Sequence, residues 1–482
     1  MVPLTLPQVR SAVVGRTSPF FDGTTTRRLP DVPVLHVSTD TRTIVPGSLF
    51  VALRGDRFDG HGFLAQAAAA GAVGAIVDRK VASAPAELPL IEVPDTRKAL
   101  GRLANHLRRQ LKHTKVIAVA GSNGKTGTKH LIHAALSLHL KGTISPKSFN
   151  NDIGVPLTLL PVSPRQDYVI VECGTNHPGE IEYLSRIAEP DIAVITNAGP
   201  EHLEGLGDLA GVRKENAAIT AGMRPEGCLV VNGDDRALVA ACGGFAGRKV
   251  TFGLGKGSNL WAADIRSDFT GLRFQLNGSR QQVFVPLIGR HIAANALAAI
   301  AVARRMGVPD NAVMDGLAQA QGPIMRMQPQ SMAGLLILND AYNANPASVA
   351  VALETLRDLP HPGGRRIAVL GDMLELGSAS DDYHREAGRQ AARAGIHSLI
   401  CIGPGGSLMA AAAVAEGMSS EAVHCFESAR RAGWPVRELL RPGDLVLLKG
   451  SRGMELERIL EALQPAPPAA PVRQARATVA AA

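Results

Sequence analysis

A chain of 482 residues is too long for one ordinary core, and 45% hydrophobic with 20% charged residues describes a folded, soluble protein of roughly two to four domains. An aromatic content of 4% and the lack of any dense basic run argue against a nucleic-acid binder, so the net charge of +8 points instead to anionic substrates such as nucleotides. Five scattered cysteines without C-x-x-C spacing argue against a disulfide or zinc framework, and no apolar run reaches membrane-spanning length, so a cytoplasmic protein without stable membrane insertion is expected.

In chain order, Pro33 to Val37 and Ser48 to Leu53 read as strands, Leu64 to Ala70 as a helix and Val73 to Val77 as a strand. Thr96 to Leu111 reads as a connecting helix. Two polar loops lie between these elements. One holds Ser38, Asp40 and Arg42, the other Arg54 with Asp59 and His61. Arginines and glycines of this kind suit an anion-binding surface. Solvated turns fit the same residues equally well.

Val116 to Ala120 is an apolar run short enough for a buried strand. It breaks at Gly121-Ser122-Asn123-Gly124-Lys125-Thr126-Gly127 and enters a helical pattern from Thr126 to Leu140. Strand, glycine loop, Lys-Thr and helix make a phosphate cradle, because backbone N–H groups and the positive end of the helix dipole face an anion. Lys125 is placed to reach the outer phosphates, and the Thr126 hydroxyl to hold Mg²⁺. The loop is shorter than the G-x-x-x-x-G-K-[ST] pattern, since Val119 stands where its first glycine belongs. The competing reading is a glycine turn with an incidental lysine.

Asn150 and Asn151 follow in a polar loop, and Asp167 to Glu172 is an apolar strand ending in an acid. A carboxylate at a strand end beside a phosphate loop is where Mg²⁺ is usually bound. Asp191 to Thr196 is another buried strand, with His202 among acids just past it, a candidate metal partner beside Glu172. Strands follow at Cys228 to Asn232 and Lys249 to Phe252. Leu272 to Leu276 and Val283 to Leu287 alternate like a hairpin or meander. A helix from Gly289 to about Met306 carries His291 and Asn295 one turn apart.

A third αβ segment begins near Gly334. Its strands are Leu335 to Leu338, Arg366 to Leu370, Ser398 to Ile402 and Asp444 to Leu448. Helices are expected from Ser348 to Leu359 and from Met454 to Leu463. Asp340, Tyr342, Asn343, Lys449 and Arg452 follow strand ends, where open parallel sheets bind ligands. From Gln464 the tail is Pro/Ala-rich without apolar periodicity and is expected to be disordered.

The phosphate loop, NNDIGVPLTLL from Asn150, ECGTNHPGEI from Glu172 and HLEGLG from His202 together resemble the Mur ligase family. So do NDAYNANP from Asn339, LGDMLELG from Leu370 and LLKGSRG from Leu447. The resemblance runs from about Val37 to Leu460. It implies an α/β protein of three domains. These are a smaller N-terminal αβ domain (1–110) for the UDP end of a substrate, a central P-loop-type, mostly parallel sheet (111–325) for ATP, and a C-terminal Rossmann-like domain (326–465) that closes on nucleotide and dipeptide. Residues 466–482 form the tail. It further implies ATP and Mg²⁺ as cofactors, and UDP-N-acetylmuramoyl-tripeptide and D-alanyl-D-alanine as partners of a monomeric, ATP-dependent amide ligase working through an acyl phosphate.

Site roles follow from the same resemblance. Lys125, Glu172, His202 and Arg326 carry catalysis, with Thr126, Glu172 and His202 at the metal. Gly121, Ser122, Asn123, Gly124, Lys125, Thr126, Gly127, Asn295, Arg326, Asp340 and Asn343 hold the nucleotide. Ser38, Asp40, Arg42, Arg54, Asn150, Asn151, Tyr342, Lys449 and Arg452 face the other substrates. Many relatives carry a carbamylated lysine fourteen positions beyond the metal-site histidine; here that position is Asn216, with Lys214 two residues away. Glu215 or a bound anion is a possible substitute. The rival readings are a folylpolyglutamate synthase-like or other Mur-type amide ligase, and a nucleotide-binding switch that ligates nothing.

Overall fold

The computed structural model describes residues 1–14, 29–55, 58–79, 81 and 84–464, and the tail expected to be disordered lies outside them. Three parallel-dominated sheets follow one another along the chain. The first has four strands in sequence order, His36–Ser38, Ser48–Val51, Ala72–Val77 and Leu90–Glu92, all parallel. Pro33 to Val37 is not one strand. Pro33–Val34 pairs antiparallel with Leu4–Thr5, and the chain re-enters the parallel sheet only at His36 after an exposed Leu35. The connecting helix, Thr96–Gln110, starts where the Asp95 side chain accepts from the Lys98 N–H. It buries Leu100, Leu103 and Leu107 against the central unit.

The central sheet has nine strands. From one edge they are Gly142–Ile144, Tyr168–Glu172, Lys115–Ala120, Ile192–Ile195, Cys228–Asn232 and Arg248–Gly253, all parallel. Leu260–Asp268 continues the sheet in parallel, and Gly271–Leu276 and Gln282–Val285 complete it as an antiparallel meander. Helix Lys125–Ser137 and the Ala-rich helix His291–Arg305 pack on one face, over Ile117, Val119 and Ile170. Both faces of the parallel strands are covered, which is why they read as continuous apolar runs rather than alternating ones.

The third sheet has six strands in the order Gln328–Met332, Leu335–Asp340, Leu445–Lys449, Arg366–Gly371, Ser398–Ile402 and Val423–Phe426. Only the first is antiparallel. At the far edge Cys401 stands directly opposite Cys425. The helix expected from Met454 begins at Glu457 instead. Arg452–Met454 is a tight 3₁₀ turn, and Glu455 at φ +49° cannot continue a helix.

Candidate active site

The phosphate loop is held in an unusual backbone. Gly121 has φ +128° and Gly124 φ +82°. Each is also crowded. A β-carbon on Gly121 would lie 2.0 Å from Thr196 Oγ1, and one on Gly124 2.9 Å from Asn295 Oδ1. Only glycine meets both conditions. Thr196 Oγ1 and Asn197 Nδ2 donate to the Asn123 carbonyl at 2.6 and 2.9 Å, and the Asn123 N–H donates to Asn197 Oδ1 at 2.9 Å. Ser122 and Gly199 exchange hydrogen bonds at 3.1 and 2.9 Å. The loop is thus tied to the end of Ile192–Ile195, and the first turn of Lys125–Ser137, with N–H groups that have no intrahelical partner, is left to face an anion. Gly127 is the third residue of that turn, with Asn295 packed against it. Lys125 Nζ donates to the Gly121 carbonyl and to the Ser122 carbonyl at 3.1 Å, with the Glu201 carboxylate 3.9 Å away.

Thr126 and Glu172 meet. The Thr126 hydroxyl lies 3.0 and 3.2 Å from the two Glu172 carboxylate oxygens, and both residues are buried. Asn150 Nδ2 donates to the same carboxylate at 3.4 Å. A further cation stands there. Lys129, one turn beyond Lys125 and fully buried, places Nζ 3.2 Å from Glu172 Oε2. It also donates to the Ser145 carbonyl and hydroxyl, both at 3.0 Å, and to the Lys147 carbonyl. Burial pushes the Lys129 ammonium below its usual range, while the Glu172 charge pulls it back up. Asn151 does different work from that expected. Its side-chain oxygen accepts from the N–H groups of Ile153 and Gly154 at 3.2 and 2.9 Å, which starts helix Gly154–Leu159.

His202, at φ +49°, turns its imidazole toward the third sheet. Nδ1 lies 2.6 Å from Glu375, and Nε2 lies 4.0 Å from Glu201. Its charged partners are these two acids rather than Glu172, and among the described residues no group of three or more His, Cys, Asp or Glu forms a ready metal cage. What Thr126 and Glu172 offer is a hydroxyl and a carboxylate, all-oxygen ligands for a hard ion. Mg²⁺ fits such a site, since it keeps several waters and takes one or two carboxylates plus phosphate oxygens.

Asn216 is buried and donates to the Val212 carbonyl at 3.0 Å, back along its own helix. Lys214 is exposed. Glu215 is not free to replace a carbamate, because its carboxylate accepts from the N–H groups of Gly179 and Ile181 at 2.7 and 2.8 Å, at the start of helix Glu180–Ala188. Activity is therefore expected to be indifferent to bicarbonate after exhaustive CO₂ removal at mildly acidic pH. Rescue by added bicarbonate would show a carbamylated lysine after all.

The third sheet closes the site from the other side. Arg326 stacks on the Tyr342 ring at 4.4 Å, and the Tyr342 hydroxyl donates to Ser148 Oγ at 2.8 Å. Asn345 Nδ2 donates to Asn123 Oδ1 at 2.9 Å, while Asn345 Oδ1 caps helix Pro346–Asp358 by accepting from the Ser348 N–H. Between them opens a cleft of about 270 Å³ lined by Glu201, His202, Tyr342, Asn343, Glu375, Ser451 and Arg452. Asp340 and Lys449, expected to face ribose and peptide, pair with each other at 2.7 Å, and Lys449 also donates to the Asn343 carbonyl at 2.8 Å. Arg452 pairs with Glu457 at 2.7 Å on the rim.

In the first unit, Ser38, Asp40 and Arg42 share one turn. Asp40 accepts from the Arg42 side chain at 2.6 Å, and Ser38 Oγ donates to the Asp40 carbonyl at 2.8 Å. Arg54 belongs to another cluster, paired with Asp78 at 2.8 Å beside buried His61. Sequence reasoning missed Lys129, Glu201, Glu375, Asn197 and Ser148. Glu201 and Asn197 carried a signal as polar neighbours of His202 just past a strand end, and Glu375 as part of the LGDMLELG motif.

Three domain families match in order. The Mur ligase family catalytic domain matches residues 33–108, the Mur ligase middle domain 119–303 and the Mur ligase glutamate ligase domain 325–452. Among similar proteins, the UDP-N-acetylmuramoyl-tripeptide--D-alanyl-D-alanine ligase of Bacillus subtilis is 36% identical over 436 residues, 90% of this chain and 94% of the relative. A crystal structure of MurF from Acinetobacter baumannii superposes with a TM-score of 0.82 at 33% identity, over 90% of this chain and 94% of that one. The MurF ligase of Thermotoga maritima in complex with ADP gives 0.79 at 25% identity, over 89% and 97%.

Proposed function

The chain belongs to the Mur ligase family, and from that premise we propose that it joins D-alanyl-D-alanine to UDP-N-acetylmuramoyl-tripeptide with ATP, as a monomer. It is an ATP-dependent ligase of peptidoglycan precursor synthesis. The observation that supports the finer reading is the Thr126–Glu172 contact beside a phosphate loop, together with a cleft that has one wall from each of two sheets. A nucleotide on the loop and an acceptor in the cleft would then lie on either side of the carboxylate to be activated.

A carboxylate that attacks a polyphosphate meets charge repulsion, so the site must screen it. Lys125 and the helix N-terminus supply positive charge at the phosphates, and Arg326 adds more from the domain junction. Mg²⁺ held by Thr126 and Glu172 would neutralise phosphate charge when bound. His202, oriented by Glu375, faces this region as a further polar group. The tripeptide carboxylate takes the γ-phosphoryl group and becomes an acyl phosphate, which turns a poor leaving group into a good one. The dipeptide amine attacks the carbonyl, and the tetrahedral adduct collapses to amide and phosphate. Asn343 and Arg452 line the cleft where a short peptide would lie. Ser38, Asp40, Arg42 and Arg54 are assigned to the UDP end, Asn295 and Asp340 to the nucleoside.

ADP release should require both the UDP-linked tripeptide and D-alanyl-D-alanine. With ¹⁸O in the tripeptide carboxylate, label should pass to the released phosphate. Label that stays wholly in the peptide would sink the acyl phosphate, and equal turnover with glutamate as acceptor would move the chain to another branch of the family. ADP release with no amine at all would favour the non-ligating switch.

A further inference from the structure

Two cysteines face each other at the edge of the third sheet, away from the residues assigned to ligation. Cys401 on Ser398–Ile402 is the register partner of Cys425 on the edge strand Val423–Phe426. Register partners on parallel strands send their side chains to the same face, with backbones ~4.8 Å apart. A disulfide spans Cα separations of ~4.4–6.8 Å, so the bridge fits without moving the strands far. The two thiols lie in one register row, with the Cys425 thiol donating to the Gly406 carbonyl at 3.7 Å. They are also unlike. Cys401 is buried, and Cys425 is exposed. The interaction with Cys401 lowers the Cys425 thiol from its ordinary value, which favours its thiolate. Cys173, Cys228 and Cys242 are buried, and burial pushes the Cys173 thiol up to about 12 and the Cys242 thiol to about 11.

We propose that Cys401 and Cys425 form an oxidisable dithiol that a peroxide converts to a cross-strand disulfide. The Cys425 thiolate attacks one peroxide oxygen, the O–O bond breaks, and the leaving hydroxide is protonated to water. Cys425 is then a sulfenic acid. The Cys401 sulfur attacks the Cys425 sulfur, the S–O bond breaks, and the hydroxyl leaves as water with the Cys401 proton. In sum, two thiols and one hydrogen peroxide give one disulfide and two waters. A thiol reductant reverses it, so the bridge is a transient modification in a reducing compartment.

The test uses the full-length protein. Iodoacetamide should alkylate Cys425 at least ~10-fold faster than Cys228. After hydrogen peroxide, peptide mapping should find the Cys401 and Cys425 peptides linked and two hydrogens lighter, and dithiothreitol should separate them. Cys425→Ser should abolish the link and the fast alkylation together. Cys401→Ser should strand Cys425 as a sulfenic acid that dimedone traps. The surface substitution Cys425→Ser keeps the test valid should Cys401→Ser fold poorly. Peroxide treatment that yields only over-oxidised Cys425 and no linked peptide would overturn the proposal, as would equal alkylation of Cys425 and Cys228.

Discussion

Replacing Lys125 by alanine should lower the ligation rate about a hundredfold or more while the protein stays folded. The side chain crosses no core. It arches over its own loop, bonding the Gly121 and Ser122 carbonyls, with Glu201 nearby. Those carbonyls are weak partners for an ammonium beside a polyphosphate, so the group is free to follow charge as it builds on the transferring phosphoryl. Gly121 and Gly124 set the loop's shape, and neither depends on the lysine. Circular dichroism and the denaturation midpoint should match the wild type, and steady-state ADP release should not. Near-normal ligation by a purified, folded Lys125→Ala protein would remove the phosphate loop from the mechanism.

Lys129→Met should do the reverse and strike stability first. Removing the cation leaves Glu172 buried with one fewer partner, and breaking a buried pair by deleting one member costs about 3–5 kcal/mol. The Ser145 carbonyl and hydroxyl and the Lys147 carbonyl lose their shared donor at the same time. The double variant Lys129→Met/Glu172→Gln should recover part of that loss, because no uncompensated charge remains. It should still ligate poorly, since the carboxylate beside Thr126 is gone. Urea denaturation of the three proteins decides the matter. An unchanged midpoint for Lys129→Met would mean that Lys129 and Glu172 are not paired in the folded protein.

The contrast between these lysines shows what the sequence could reveal. Lys125 was legible because strand, glycines, Lys-Thr and helix are contiguous, so local geometry alone aims it at an anion. Lys129 sits in the same helix and reads as one more solvated charge. Its burial is set by the Ser145–Lys147 turn folding over it, a contact that spacing does not encode. The pairing of Glu375 with His202 is hidden likewise, since it forms only across the junction of two sheets. Asn151 shows a second use for a motif asparagine. A polar residue in a motif suggests a ligand, yet an asparagine beside a helix start satisfies backbone N–H groups just as well. The strand Gln328–Met332 escaped notice because it is polar and contains Pro329, which an edge strand tolerates and a central one does not.

Asn345 caps one helix and touches the phosphate loop of another. The N-terminal ends of Lys125–Ser137 and Pro346–Asp358 are therefore neighbours across the junction, and Ala347 in the first turn of the second helix lies close to Gly199. Two positive poles that share an anion repel each other when it leaves. A nucleotide bound between them would then act as a latch between the two sheets: each phosphate added would strengthen the grip, and each one lost would loosen it. Closure should be tighter with ATP than with ADP and weaker at high ionic strength, and small-angle scattering across a salt series would read this directly. On this view the reaction would unlock its own product, because transfer of the γ-phosphoryl would remove part of the charge holding the two sheets together.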